Sequence, residues 1–198
     1  MFRSLALGTI LGGLTAFVWS SISWEVVGWH EKVMERFDRQ DEVSAVIASH
    51  APKDGTYLLP MARPDPSLSA DENRQAEAAV MEQFQRGPIV VAAVRRGGFG
   101  SFTRAILLQA LSLMAAALLL TYLWLQTSGL SYARSVVFLG IAGLAGSAIV
   151  DLPNWNWWGF SGTYTAVDMA DAAITWLIAG LVIAKVARPT GDSAAPSR

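Results

Sequence analysis

Residues 105–125, AILLQALSLMAAALLLTYLWL, run for a full membrane thickness without one charged side chain. A helix crossing a hydrocarbon core of about 30 Å needs about 20 predominantly apolar residues. The stretch from Phe102 to Gln126 meets that length, and three more approach it: Ser4 to Trp24, SVVFLGIAGLAGSAIV (135–150), and Thr165 to Val186. None alternates polar and apolar residues at period two, which sets a transmembrane β-barrel aside. The composition agrees, with 53% hydrophobic and 16% charged residues, against about 25% charged in soluble domains, and a mean hydropathy of +0.36. The expected fold is therefore a membrane all-α protein: four transmembrane helices with a small α+β extracytoplasmic domain between the first and second.

Two segments carry competing readings. Arg3, the apolar run after it and the small residues near Ser21–Ser23 fit a cleaved signal peptide. The run is long for that, and Trp19, Trp24 and Trp29 follow it as an interfacial anchor would, so residues 1–24 read as an uncleaved first span. The 135–150 run is short and fits a tilted or re-entrant helix as well as a full crossing. With a span on either side of it, full crossing is the expectation.

Composition removes several function classes. The 15 Lys and Arg are scattered and the net charge is −1, so the clustered basic face of a nucleic-acid binder is missing. With no cysteine there is no disulfide, thiolate metal site, iron–sulfur cluster or cysteine nucleophile. His30 and His50 both lie outside the apolar runs, so they do not hold a haem within the bilayer. No cofactor and no metal site is expected.

Basic residues near span ends set orientation. A cytoplasmic N-terminus puts Arg3, Arg134, Lys185, Arg188 and Arg198 inside, and residues 25–101 and 151–164 outside. Arg95, Arg96 and Arg104 oppose this, but they follow a long domain, and long domains translocate largely regardless of charge. The expected location is the bacterial inner membrane, with both termini cytoplasmic.

Residues 25–101 change character. EKVMERFDRQDEVSAVIASHA spaces its apolar residues as a helix broken near Asp38. KDGTYLLP reads as a turn at Asp54-Gly55 and a strand over Thr56–Leu59. ARPDPSLS is a loop. SADENRQAEAAVMEQFQRG is a helix capped by Ser69 and stopped by Gly87, and PIVVAAV (88–94) is a second strand. The strands are expected to pair beneath the helices, over a thin core. RRGGFGS (95–101) reads as a connection, since it lacks the lysine and strand-to-helix spacing of a phosphate loop.

Candidate chemistry collects near the outer ends of the spans. Thr165 is expected to cap the fourth helix, with Asp168 as the capping-box carboxylate. Asp171, one turn deeper, is expected to pair with Arg104; proton relay, cation binding or snorkelling to water are its other roles. His30, beside Glu31, has no metal-site spacing around it and reads as a surface histidine just outside the membrane. No G-x-S-x-G element supports hydrolase chemistry. GTILG (8–12), Gly140, Gly143, Gly146 and Ser147 allow close helix approach in lipid, within the bundle or against a partner, and Gln109 should find a hydrogen-bond partner.

The last feature is DLPNWNWWGFSGTY (151–164), read as an aromatic outer loop with a turn at Pro153–Asn154. Trp155, Trp157 and Trp158 suit the headgroup level, apolar in the ring and wet at the N–H. Alternatively they form a platform for a ring, a lipid headgroup or another protein. The tail RPTGDSAAPSR (188–198) reads as disordered and cytoplasmic.

VGWH (27–30), GTYLLP (55–60) with GPIVVAAV (87–94), and PNWNWWGF (153–160) together resemble a group of small bacterial integral membrane proteins with four spans and one extracytoplasmic domain. That group has no assigned activity, so the resemblance implies architecture and carries over no catalytic residue. The leading expectation is a non-enzymatic accessory or scaffolding protein of the envelope, contacting the lipid bilayer and other membrane proteins. The alternatives are a binding protein for a lipid or other amphiphile and, with less support, an ion- or proton-coupled transporter. The residues for ligand or partner contact are Trp155, Trp157, Trp158, Asp168, Asp171, Arg104 and His30.

Overall fold

The chain meets no proline between Phe2 and Ile22, and in the computed structural model, which describes residues 2–187, this stretch is helix α1. The tail expectation for 188–198 falls outside the described residues. After α1 the helix widens to a π turn over Ser23–Val27 and stops at Gly28, whose φ of 60° is a left-handed conformation that glycine adopts without a Cβ penalty. The one-turn helix α2 (Trp29–Lys32) follows. Then come α3 (Gln40–His50), β1 (Gly55–Leu59), α4 (Ala70–Arg86), β2 (Val90–Val94), α5 (Phe102–Leu125), α6 (Tyr132–Trp158) and α7 (Gly162–Val186). Four helices, α1 with its π turn, α5, α6 and α7, are long and apolar enough to cross a membrane.

Two compact units result: residues up to 35 with 101–153 and those from 161 onward, and residues 36–100 with 154–160. Residues 25–35, grouped on sequence with the extracytoplasmic domain, fall in the helical unit because α2 packs on α7.

Glycine sets the packing of the helical unit. A Cβ on Gly8 would lie 2.8 Å from Thr121 Oγ1, and one on Gly13 would lie 2.9 Å from Met114 Cα. These pairs run in opposite directions, so α1 and α5 are antiparallel and nearly in backbone contact. Gly12 meets Ile183 of α7, while Gly140 and Gly143 of α6 meet Leu177 and Trp176 of α7. Small residues let helices approach this closely in lipid, where van der Waals packing holds them together. Ala16, Ala117, Leu139, Ala179 and Ile183 are wholly buried between the helices. Tyr132 Oη donates to the Leu181 carbonyl at 2.9 Å, fixing the start of α6 against the end of α7.

Two expectations about the region 151–164 are corrected. It is helical except for Gly159, Phe160 and Ser161, because α6 runs through Pro153 to Trp158. Proline removes one backbone bond, to the carbonyl four residues back, and its fixed φ is helical; such residues are tolerated in spanning helices. Gly159, at φ 75°, ends the helix instead. The cap of α7 is Ser161, whose Oγ accepts from the Tyr164 N–H at 3.1 Å. Thr165 therefore lies one turn inside the helix and is buried, and Asp168 is not a capping-box residue.

The second unit follows its sequence pattern closely. β1 and β2 pair antiparallel, from Gly55 opposite Val94 to Leu59 opposite Val90. Beyond the strand ends, Arg96 N donates to Asp54 Oδ1 at 2.9 Å and Arg96 Nη1 to the Pro52 carbonyl at 2.8 Å. Ser69 and Glu72 form a reciprocal capping box at the start of α4. Neither α3 nor α4 buries a residue, so the expected cover of helices over the sheet is thin.

Candidate functional site

α7 begins at Gly162, so Asp168 and Asp171 lie roughly 9 and 14 Å along its axis, at about 1.5 Å per residue. An ionisable group at that depth in a spanning helix is costly unless paired. The partners come from α1 and α2. Trp19, near the end of α1, donates its Nε1–H to Asp171 Oδ1 at 2.9 Å. His30 Nε2 lies 3.4 Å from Asp168 Oδ1 and 3.5 Å from Asp171 Oδ2. One imidazole thus faces both carboxylates.

His30 reaches this position through the π turn and Gly28, which fold the chain back over the end of α1. Trp29 Nε1 donates to Ser23 Oγ at 2.8 Å and closes that fold. The Trp24 ring stacks on the imidazole, with centroids 4.2 Å apart and planes 7° from parallel. Trp29 meets it edge-on at 5.7 Å. His30 is only 2% exposed, which corrects its reading as a surface residue. A histidine between two carboxylates and two indoles gains enough local contact to leave water. Its Nδ1 is buried and has no hydrogen-bond partner.

A cavity of about 310 Å³ opens beside this cluster. Its wall mixes polar side chains, from His30, Asp151, Asp168, Asp171, Gln109 and Ser147, with apolar ones, from Leu113, Val150, Ala172 and Trp176. Among the described residues, no lysine or arginine lines it. Ser147 donates its hydroxyl to Asp151 one turn along α6. Tyr164 is hydrogen-bonded to Asp168 one turn along α7. Among the described residues, no three His, Asp or Glu side chains converge to hold a metal ion.

Of the residues singled out on sequence, His30, Asp168 and Asp171 come together. Arg104 does not join them: it is exposed, and among the described residues it forms no ion pair with Asp171. The expected Arg104–Asp171 pair is replaced by contacts from Trp19 and His30, because α1 brings the Trp19 donor to α7 and the segment folded back after it brings the imidazole. Trp155, Trp157 and Trp158 belong to the other compact unit, on the last turns of α6, and are 52%, 71% and 41% exposed. Sequence reasoning assigned Trp19 and Trp24 only to an interfacial anchor. The signal that would have found them is Gly28 beside Trp29 and His30, a reversal signal immediately after a row of tryptophans. No protein-family model, no curated protein and no solved structure matches the chain.

Proposed function

We propose that this is a multi-pass membrane protein that binds the polar end of an amphiphile in the cavity formed by α1, α5, α6 and α7. The observation that carries the reading is the His30–Asp168–Asp171 cluster in a cavity lined by both polar and apolar side chains. Ligand sites are mostly apolar pockets with a few convergent polar groups, and intramembrane ionisable residues mark functional sites by default. The accessory and scaffolding reading drew on the small-residue helix faces. Gly8, Gly12, Gly13, Gly140 and Gly143 are occupied within the chain, so that support weakens and the binding reading leads.

In this proposal the protein sits in a bacterial inner membrane with both termini in the cytoplasm and residues 36–100 outside. The cavity then opens towards the outer leaflet. Trp155, Trp157 and Trp158 stand at the headgroup level on the helical extension of α6, as belt residues do.

The test is native mass spectrometry of the full chain purified in mild detergent. One amphiphile per chain is expected to be retained by the native protein and lost when Gln109→Leu and Ser147→Leu fill the cavity. A native chain that runs free of any amphiphile, under conditions that keep its fold, overturns the reading.

A further inference from the structure

Resting on that reading, we infer that the amphiphile's head is a primary ammonium group: the cavity selects an N–H-bearing cation over a quaternary, neutral or anionic head.

The cavity wall holds the carboxylates Asp151, Asp168 and Asp171 and, among the described residues, no lysine or arginine. Its one basic side chain, His30, already faces Asp168 and Asp171. Asp151, partly buried on α6, has the Ser147 hydroxyl as its side-chain hydrogen-bond donor. Acid groups thus outnumber the basic group, in a site where low dielectric strengthens every charge interaction. An anionic head would meet like charge from all three carboxylates.

The unused hydrogen-bonding capacity has the same sign. His30 lines the cavity, and its Nδ1 is buried with no hydrogen-bond partner among the described residues. Asp151 keeps further acceptor lone pairs, and Ser20, Gln109 and Thr175 offer oxygens along the same wall. A group that brings several N–H donors and a positive charge satisfies such a wall; an ammonium has three.

Aromatic geometry argues against a quaternary head. Recognition of methylated ammonium rests on open aromatic faces arranged as a cage. One face of Trp24 is covered by the His30 ring, and Trp176 is 8% exposed and packed on Gly143. The apolar residues Leu113, Val150 and Ala172 line the same cavity and would take the first methylenes after the head.

The experiment uses the full chain in a neutral detergent, titrated with four probes of one chain length: dodecylamine, dodecyltrimethylammonium, dodecanol and dodecyl sulfate. Binding is read by native mass spectrometry and calorimetry. Ethanolamine and phosphatidylethanolamine are run as separate arms, to tell a free amine from a lipid head. Dodecylamine is expected to bind at least about tenfold more tightly than the other three. Asp151→Asn is expected to weaken it about tenfold, and Asp151→Glu to restore most of that. Ser147→Ala keeps the Asp151 carboxylate and frees the lone pair that the Ser147 hydroxyl occupies, so dodecylamine binding is expected to hold or tighten. Equal or tighter binding of the quaternary, neutral or anionic probe overturns the ammonium inference while leaving amphiphile binding intact. Dodecylamine binding that is unchanged by Asp151→Asn, or lost in a folded Ser147→Ala chain, also overturns it. Failure of every amphiphile to bind the folded native chain overturns the underlying reading as well.

Discussion

Asp171 takes its Trp19 bond at Oδ1 and faces His30 through Oδ2, so its two oxygens answer to different partners and can be separated by mutation. Asp171→Asn keeps an oxygen for the Trp19 N–H and removes the charge facing His30. Asp171→Ala removes both and leaves the Trp19 N–H unpaired, a loss of about 1–3 kcal/mol for a buried donor. The expected order of stability in detergent unfolding is native, then Asn, then Ala. In a double-mutant cycle, Trp19→Phe should take away most of the difference between Asn and Ala, because the donor is gone. Equal destabilisation by Asn and Ala, whichever residue stands at 19, would mean that Trp19 contributes nothing through its N–H. None of this was legible from spacing. Asp168 and Asp171 were visible as carboxylates on one helix face, but their partners lie far away in sequence, and Arg104 was the cation expected at the outer end of the second span. The partner chosen by the fold depends on the π turn and the left-handed Gly28, and no local hydrophobic pattern records a reversal of that kind.

The elements themselves were largely legible. Long apolar runs gave the four helices that are long and apolar enough to cross a membrane, because each residue contributes to the same signal. The boundaries failed where one residue type sends two messages: Pro153 reads as a turn but fits a helix, and Gly162 reads as a breaker but sits in the first turn of α7. At the same scale, glycines that look alike in sequence differ in what they face. Gly143→Ala would put a Cβ within 2.6 Å of Trp176 Cβ, whereas Gly146→Ala meets nothing within 4 Å. Overpacking costs about 1–3 kcal/mol, so Gly143→Ala is expected to lower thermal stability in detergent by that amount. Gly146→Ala should be neutral or stabilising by about 0.5–1 kcal/mol, the helix preference of alanine over glycine. A loss at residue 146 as large as at 143 would place a neighbour against that face. The α4 cap makes a pH prediction. The Ser69 hydroxyl and backbone N–H both donate to Glu72 and hold its carboxyl below the ordinary glutamate range. A carboxyl lowered in the folded state contributes stability that is present above its unfolded value and lost as pH falls through its folded one. Helicity of α4 should therefore decline as the solution is acidified below the ordinary glutamate range, and Glu72→Gln should blunt that decline. Carboxyl-resolved NMR titration of the folded protein checks the direction, and a Glu72 titrating at or above the ordinary value would contradict the cap.

At the scale of the whole molecule, length and charge distribution bear on how α6 crosses. Its apolar run, 135–150, measures roughly 24 Å at about 1.5 Å per residue, short of a core of about 30 Å. The helix nevertheless continues through Leu152, Pro153 and the tryptophans to Trp158, about 40 Å in all by the same rise. That length spans the core with two turns left over, on which Trp155, Trp157 and Trp158 fall. A re-entrant α6 would return its tryptophan end to the side it came from. A full crossing puts Asn156, among the tryptophans, on the side opposite the α5–α6 connection. The chain has no native cysteine, so single cysteines report sidedness without background. Ser67→Cys, between β1 and α4, and Asn156→Cys should both react with a membrane-impermeant maleimide in spheroplasts. Ser128→Cys, between α5 and α6, should react only after lysis. Labelling of all three positions from one side would mean that α6 does not cross, and the four-span architecture would fall with it. Labelling of Ser128→Cys alone in spheroplasts would keep the four spans and invert the protein, turning the cavity towards the cytoplasmic leaflet and changing which lipids could supply its occupant.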